Sequence, residues 1–267
     1  MALRASEDRR SEGRQMIAVF AAMDSEVAPF LAAGTVRGTE VIDGFSTTRL
    51  DFGGLRAVLC RTGIGARAAS ATSAVLNRHP ARAVLSVGTA GALSPRLRAG
   101  DAIICDPVSV SSSCGYGDED GSIKSDPALF AATQEAAQRF GLALEAGSSL
   151  TVNPAVATAE EKRRLWELLG HDVVEMESYW VGRVAAERDL PFLTVRVVSD
   201  DAGDAIIVDA GFVRADGTID YDLLAQWAQQ HPDQMTLLGR MAERSRSAGD
   251  TLSRFARTLP GLNAAFS

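Results

Sequence analysis

The stretch Val173-Val174-Glu175-Met176-Glu177-Ser178, followed by Phe192-Leu193-Thr194-Val195-Arg196-Val197-Val198-Ser199-Asp200-Asp201-Ala202-Gly203-Asp204, decides the fold. Each segment begins with an apolar run bounded by polar residues, the pattern of a buried strand. Ser178 to Arg188, between them, reads as a helix. Strand, covering helix and second strand make the repeating unit of a largely parallel α/β sheet. Ligands bind such sheets at the strand ends and in the loops beyond them. Here the first strand delivers Glu175 and Glu177, and the second, read as parallel to it, delivers Ser199 and Asp200. These acids are either solvated loop groups or a site suited to a polyhydroxylated ligand and a proton transfer.

Working upstream, Leu142 to Val152 is a strand broken at Asn153-Pro154. Thr158-Ala159-Glu160-Glu161 is a capping-box-like start for a helix to about Leu169. Asp126-Pro127 opens a helix to about Phe140, with the acid as cap and proline at the first position. Ala102 to Cys105 and Val108 to Ser111 are strand segments around Pro107, and the polar, glycine-rich Ser111 to Ser125 is a candidate lid. Ala83 to Val87 is a buried strand followed by Gly88-Thr89-Ala90-Gly91, whose small residues let backbone approach a flat ligand. Leu55 to Thr62 is a strand ending in Gly63-Ile64-Gly65, and a helix rich in small residues runs from Ala66 to Asn77. That passage is either a tight turn or an anion cradle at Gly65 with Arg61 and Arg67 beside it. It is not a dinucleotide fingerprint, because the third glycine is missing. Thr39 to Phe52 is a hairpin around Asp43-Gly44. Met16 to Ala22 is the first buried strand, and Asp24 or Ser25 caps a short helix. Glu26 in its first turn either faces the ligand crevice or complements the helix dipole.

Downstream, Ala205 to Val213 is an apolar segment that would cover the site. Thr218 to Tyr221 starts a helix to about Gln230, and Asp233 to Thr258 is a last amphipathic helix whose Arg240, Arg244, Arg246 and Arg254 form a solvated face. Strands alternating with helices throughout predict an α/β fold, a three-layer α/β/α sandwich around a central mixed sheet.

The chain has 267 residues, 46% of them hydrophobic, enough for one large domain over residues 16–267. Residues 1–15 are Arg- and Glu-rich without an apolar core, so they read as a disordered extension, or as lying upstream of a true start at Met16, and not as a secretory signal. A net charge of -7 without a basic run argues against a nucleic-acid partner. No apolar run reaches the roughly 20 residues of a membrane span. Cys60, Cys105 and Cys114 lack ligand spacing and read as reduced thiols, and His79, His171 and His231 are scattered. The expectation is a cytoplasmic protein with no metal and no cofactor.

Four segments together resemble the purine nucleoside phosphorylase and nucleosidase superfamily, with the methylthioadenosine/S-adenosylhomocysteine nucleosidase branch nearest. They are Val174-Glu175-Met176-Glu177, Val195 to Asp200, Ala21-Ala22-Met23-Asp24-Ser25-Glu26, and Val87-Gly88-Thr89-Ala90-Gly91-Ala92-Leu93 with Leu97 to Asp101. They occur in the family's order and span roughly residues 16 to 205. The resemblance implies a nucleoside phosphorylase-like fold and cleavage of the N-glycosidic bond of a purine nucleoside. Asp200 then matches the aspartate that gives a proton toward the purine, with Ser199 beside it among the substrate-binding residues, and Glu26 the hydrolase glutamate that deprotonates water. Glu177 matches the ribose binder, beside Glu175; Met176 packs under the sugar. Thr89, Ala90 and Gly91 wall the sugar and base, and the region from Val152 reads the base edge. A homodimer or larger homo-oligomer is implied as well.

Two other readings stay open at this stage. A phosphorylase would use phosphate, but the position of the bacterial phosphorylases' arginine is Ser86 here, leaving only Arg61 and Arg67. A silent nucleoside-binding protein would have no need of both Glu26 and Asp200. The chain also departs from the family pattern at Asp24-Ser25, Thr89, Ala92 and Tyr179-Trp180, which leaves the 5′ substituent of the substrate open.

Overall fold

A computed structural model describes residues 16–111, 121–208 and 211–266. The readings of residues 1–15 as disordered and of the centre of 111–125 as a lid lie outside the described residues, as does Cys114. Among the described residues there are ten strands: β1 (Met16–Ala21), β2 (Thr35–Ile42), β3 (Phe45–Phe52), β4 (Leu55–Arg61), β5 (Ala83–Ala92), β6 (Ala102–Ser111), β7 (Gly121–Ile123), β8 (Glu145–Val152), β9 (Val173–Glu175) and β10 (Phe192–Asp200). The helices are α1 (Asp24–Ala33), α2 (Arg67–Arg78), α3 (Pro127–Arg139), α4 (Ala159–Leu169), α5 (Ser178–Ala186), α6 (Tyr221–Gln230) and α7 (Met235–Ala256). All ten strands join one mixed sheet in the order β10-β6-β8-β9-β5-β1-β4-β3-β2, with β7 on β6. Because β10 also pairs with β5, one end of the sheet closes on itself as a small five-strand ring.

Alternation along the strands explains why both faces are covered. In β1, Ile17, Val19 and Ala21 join the core that holds Phe30 of α1 and Leu252 and Phe255 of α7. Ala18 and Phe20 point the other way, into the core of Ala71 and Val75 of α2 and Val181 and Val184 of α5. A third cluster seats Leu165 of α4 against Leu93, Leu150 and Val174. The expected α/β sandwich with a mixed sheet is therefore the observed one.

Several boundaries differ for identifiable reasons. β5 does not end at Val87: Thr89, Ala90 and Gly91 stay in the sheet because β10 pairs with them on one side and β9 meets Gly91 on the other. β9 and β10 are not parallel neighbours; β5 lies between them, antiparallel to β9 and parallel to β10. β6 runs unbroken through Pro107, with a register shift against β8 between Cys105 and Val108. The Asp43-Gly44 turn has both residues at positive φ, as a two-residue hairpin requires. The start of α1 is capped neither by Asp24 nor by Ser25: its N-cap is Met23, whose amide is held by Glu26. The capping box at Thr158 and the cap at Asp126 are as expected, and within the Thr218–Tyr221 start it is Asp220 that caps α6.

Candidate active site

The site collects at the end of β5. Gly91 is the hub: Asp200 of β10 is its register partner on one side and Val174 of β9 on the other. A methyl group on Gly91 would lie 2.8 Å from Asp200 Oδ2 and 3.4 Å from a Val174 methyl, so only glycine admits the acid this close. Three residues earlier, a methyl on Gly88 would meet Glu26 Oε1 at 2.7 Å. Two small residues thus make room for two carboxylates along one strand.

Glu26 is buried, with four donors on its oxygens. The backbone amides of Ala22 and Met23 donate to Oε2 at 2.9 and 3.1 Å. The Thr89 amide and hydroxyl donate to Oε1 at 2.7 and 2.8 Å. The same side chain therefore caps α1 and reaches across to β5 at Thr89. Thr89, in place of the usual serine, keeps the hydroxyl that this contact needs.

Asp200 is buried too. Ser199 Oγ lies 2.6 Å from its Oδ1 and 3.2 Å from the Ala90 carbonyl, tying the acid to β5. Its other oxygen accepts from Lys162 of α4, a residue the sequence reading passed over. Lys162 is fully buried and also donates to the carbonyls of Asp201 and Asp204 at 2.9 and 3.0 Å. The sequence did carry a signal: Lys162 stands one turn before Leu165 on the inward stripe of α4, where a charge needs a partner.

The two glutamates of the motif part ways. Glu175 has a buried carboxylate that accepts from Arg196 at 2.7 Å, from the amides of Glu177 and Ser178 at 2.9 and 2.7 Å, from the Ser178 hydroxyl at 2.9 Å, and from Thr151. Burial opposes its ionisation, but Arg196 and these donors outweigh burial and hold its carboxyl below the usual range. Its oxygens are spent on the protein, so it braces the motif where a ligand contact was expected. Removing one partner of such a buried pair costs about 3–5 kcal/mol. Glu177 stands beyond the strand end as N-cap of α5, half-buried, and accepts from the Gly65 amide at 2.8 Å. Burial first, then the negative charges of Glu175 and Glu26, push its carboxyl up to about 8, against the pull of Arg196 and the Gly65 amide. Because this folded-state value is raised, Glu177 lends stability below its ordinary range that is lost as pH climbs through about 8. The melting temperature of ligand-free protein should fall from about pH 6 to about pH 9 more steeply than that of Glu177→Gln, which stays neutral. Parallel curves for the two would contradict this assignment.

Gly63-Ile64-Gly65 is a turn that faces Glu177, not an open anion cradle. Arg61 pairs with Asp24 at 2.5 Å, and the Arg67 guanidinium lies exposed, 4.8 Å from the Phe45 ring centre. Ser86 is buried 3.0 Å from an Arg196 nitrogen. The Ala205–Val213 stretch expected to cover the site contacts Ala157 and Met241 instead, through the amides of Ile206 and Ile207, and it is the chain beyond it that meets the glycine turn and β1: Ala215 O accepts from Ile64 N at 2.9 Å, and a methyl on Gly217 would meet Ala22 O at 2.0 Å. Arg244 is not on a solvated face; it pairs with Asp201 at 3.2 Å and with Asp204. Arg254 reaches the Gly141 carbonyl at 2.8 Å. Met176 is half-buried beside Glu177, and Val152 closes the core end of β8. Tyr179 and Trp180 pack edge-to-face at 5.5 Å, half-buried against the second core cluster.

The family profile described as the phosphorylase superfamily matches residues 16–231. The 5′-methylthioadenosine/S-adenosylhomocysteine nucleosidase of Geobacillus thermodenitrificans is 35% identical over 204 residues, 70% of this chain and 84% of the relative. The nucleosidase of that name from Neisseria meningitidis, solved with methylthio-immucillin-A, superposes with a TM-score of 0.71 at 23% identity, over 92% of this chain and 98% of that one. Futalosine hydrolase of Helicobacter pylori superposes with a TM-score of 0.69 at 19% identity, over 90% and 97%. At these identities the two solved structures establish the fold alone.

Proposed function

Because the chain belongs to the phosphorylase superfamily, we propose that it is a nucleosidase that cleaves the N-glycosidic bond of a purine nucleoside with water, a 5′-substituted adenosine being the favoured substrate. One observation carries this reading: two buried carboxylates from different elements, Glu26 and Asp200, reach the same strand at Thr89 and Gly91. Cleavage makes the sugar oxocarbenium-like and puts negative charge on the departing base, so a base for water and an acid for the leaving group are both needed. Glu26, held by four donors, takes the proton of the attacking water. Asp200, held by Ser199 and Lys162, passes a proton to the purine ring.

Glu177 bridges two neighbouring ribose hydroxyls, with Met176 under the sugar, Thr89 to Gly91 as the wall, and the Val152 end of β8 toward the base edge. At about pH 9, above its raised value of about 8, Glu177 is ionised, and there Glu177→Gln should raise KM roughly tenfold and lower kcat as well. Each charged hydrogen bond is worth about 1.5–3 kcal/mol, and this one acts in both ground and transition states. Steady-state kinetics checks this; an unchanged KM would remove Glu177 from the ribose site.

The phosphorylase reading finds less support. Ser86 stands where the cation is expected, and Arg61 is paired with Asp24. A silent binding protein would have no use for two enclosed carboxylates at one strand end. A homodimer or larger homo-oligomer acting in the cytoplasm on a small nucleoside, without metal or cofactor, completes the reading.

The test is adenine release from 5′-methylthioadenosine and S-adenosylhomocysteine without phosphate. Turnover of neither, with adenosine and inosine also inert, would overturn the proposal.

A further inference from the structure

Asp200 poses a problem for its assigned task. Its Oδ2 is taken by the Lys162 ammonium, while its Oδ1 lies 2.6 Å from Ser199 Oγ, whose one hydrogen serves either that oxygen or the Ala90 carbonyl, so the N–H donor fixed on Asp200 is that of Lys162. We propose that Lys162 is a positioning residue that holds the proton Asp200 delivers to the leaving base. This rests on the nucleosidase reading above and adds to it the source of that proton.

The surroundings of Lys162 fit the task. An ammonium has three N–H donors, and here three acceptors meet them: Asp200 Oδ2 and the carbonyls of Asp201 and Asp204. If one N–H breaks as an O–H forms on Asp200, the neutral amine keeps two N–H groups for the two carbonyls and turns its lone pair to the new hydroxyl. Both states of Lys162 are therefore satisfied without rearrangement. The Asp200 O–H then breaks as the N–H on the base forms. Water's hydroxide has meanwhile gone to the sugar carbon and its proton to Glu26, so one proton returned through solvent from Glu26 to Lys162 resets the site.

The carbonyls are fixed by a loop built for rigidity. Asp201 N donates to Asp204 Oδ2 at 3.0 Å, and Asp204 N to Asp201 O at 3.0 Å. Ala99 N donates to Asp201 Oδ1 at 2.7 Å, and Arg244 from α7 pairs with both carboxylates. The charged groups facing Lys162 are thus Asp200 directly, and Asp201 and Asp204 only through their carbonyls, since their carboxylates are held by Arg244. A strut that merely kept α4 against the loop would not need the third donor aimed at the acid.

The test separates a leaving group that needs a proton from one that does not. Lys162→Met and wild type are compared on 5′-methylthioadenosine and on the 4-nitrophenyl riboside bearing the same 5′-methylthio group, with thermal melting as the folding check. The expected result is a loss of about 10²–10⁴-fold in kcat for adenine release, KM within a few-fold, and nitrophenol release within about threefold of wild type. Parallel loss on both substrates would reduce Lys162 to a structural strut, and undiminished adenine release would remove it from the reaction. Lys162→Arg keeps the charge but does not surrender a proton. It should match the Met variant in adenine release, and full rescue by Arg would overturn the proposal. A wild-type protein that releases no adenine would instead refute the nucleosidase reading on which this one rests.

Discussion

Asp200→Asn will lower adenine release by about 10²–10⁴-fold while leaving nucleoside binding within a few-fold. Asparagine keeps the size of the side chain and an acceptor for Lys162, whose Nζ is also held by the carbonyls of Asp201 and Asp204. It cannot hand over a proton. The loss should therefore fall on kcat, the mark of an interaction made in the transition state. Single-turnover kinetics beside equilibrium binding of the nucleoside is the check. Normal turnover by the variant would remove Asp200 from the reaction.

Glu26→Gln should be comparably damaging to hydrolysis, by about 10²–10⁴-fold. Glutamine retains an oxygen for the Ala22 and Met23 amides, so α1 keeps its cap. Its other terminus becomes an NH₂ group facing the Thr89 amide and hydroxyl, which also donate or share a proton there. The variant thus loses its base and gains a clash of donors at the point where water would be activated. An added strong nucleophile such as azide should restore part of the rate, because it needs no deprotonation. Rescue would place Glu26 at the water. Equal deficiency with and without azide would make its role structural.

The sequence was most informative where one residue type admits one explanation. Apolar runs bounded by turns located nearly every strand, and Asp43-Gly44, Thr158 to Glu161 and Asp126-Pro127 marked their turn and caps by local chemistry alone. The candidate acids Glu26, Glu177 and Asp200 were also visible, because each lies at or just beyond the end of a strand. What was hidden depends on pairings distant in sequence. The closure of β10 onto β5 kept Gly88 to Gly91 in the sheet, and no local pattern announces such a pairing. The different fates of Glu175 and Glu177 turn on Arg196, whose side chain reaches only the first of them. Lys162 lies far from Asp200 in sequence, and only the packing of α4 brings the two together. Arg244 looked like one more charge on a basic helix until the Asp201–Asp204 loop folded against it.

The central claim is hydrolysis by water between Glu26 and Asp200. Its most direct test is product analysis with purified wild-type protein and 5′-methylthioadenosine, in buffer free of phosphate and in buffer containing it. The account predicts equal adenine release in both buffers, matched mole for mole by a reducing sugar, with no sugar phosphate in either. Release that appears only with phosphate, and yields the sugar 1-phosphate, would contradict it.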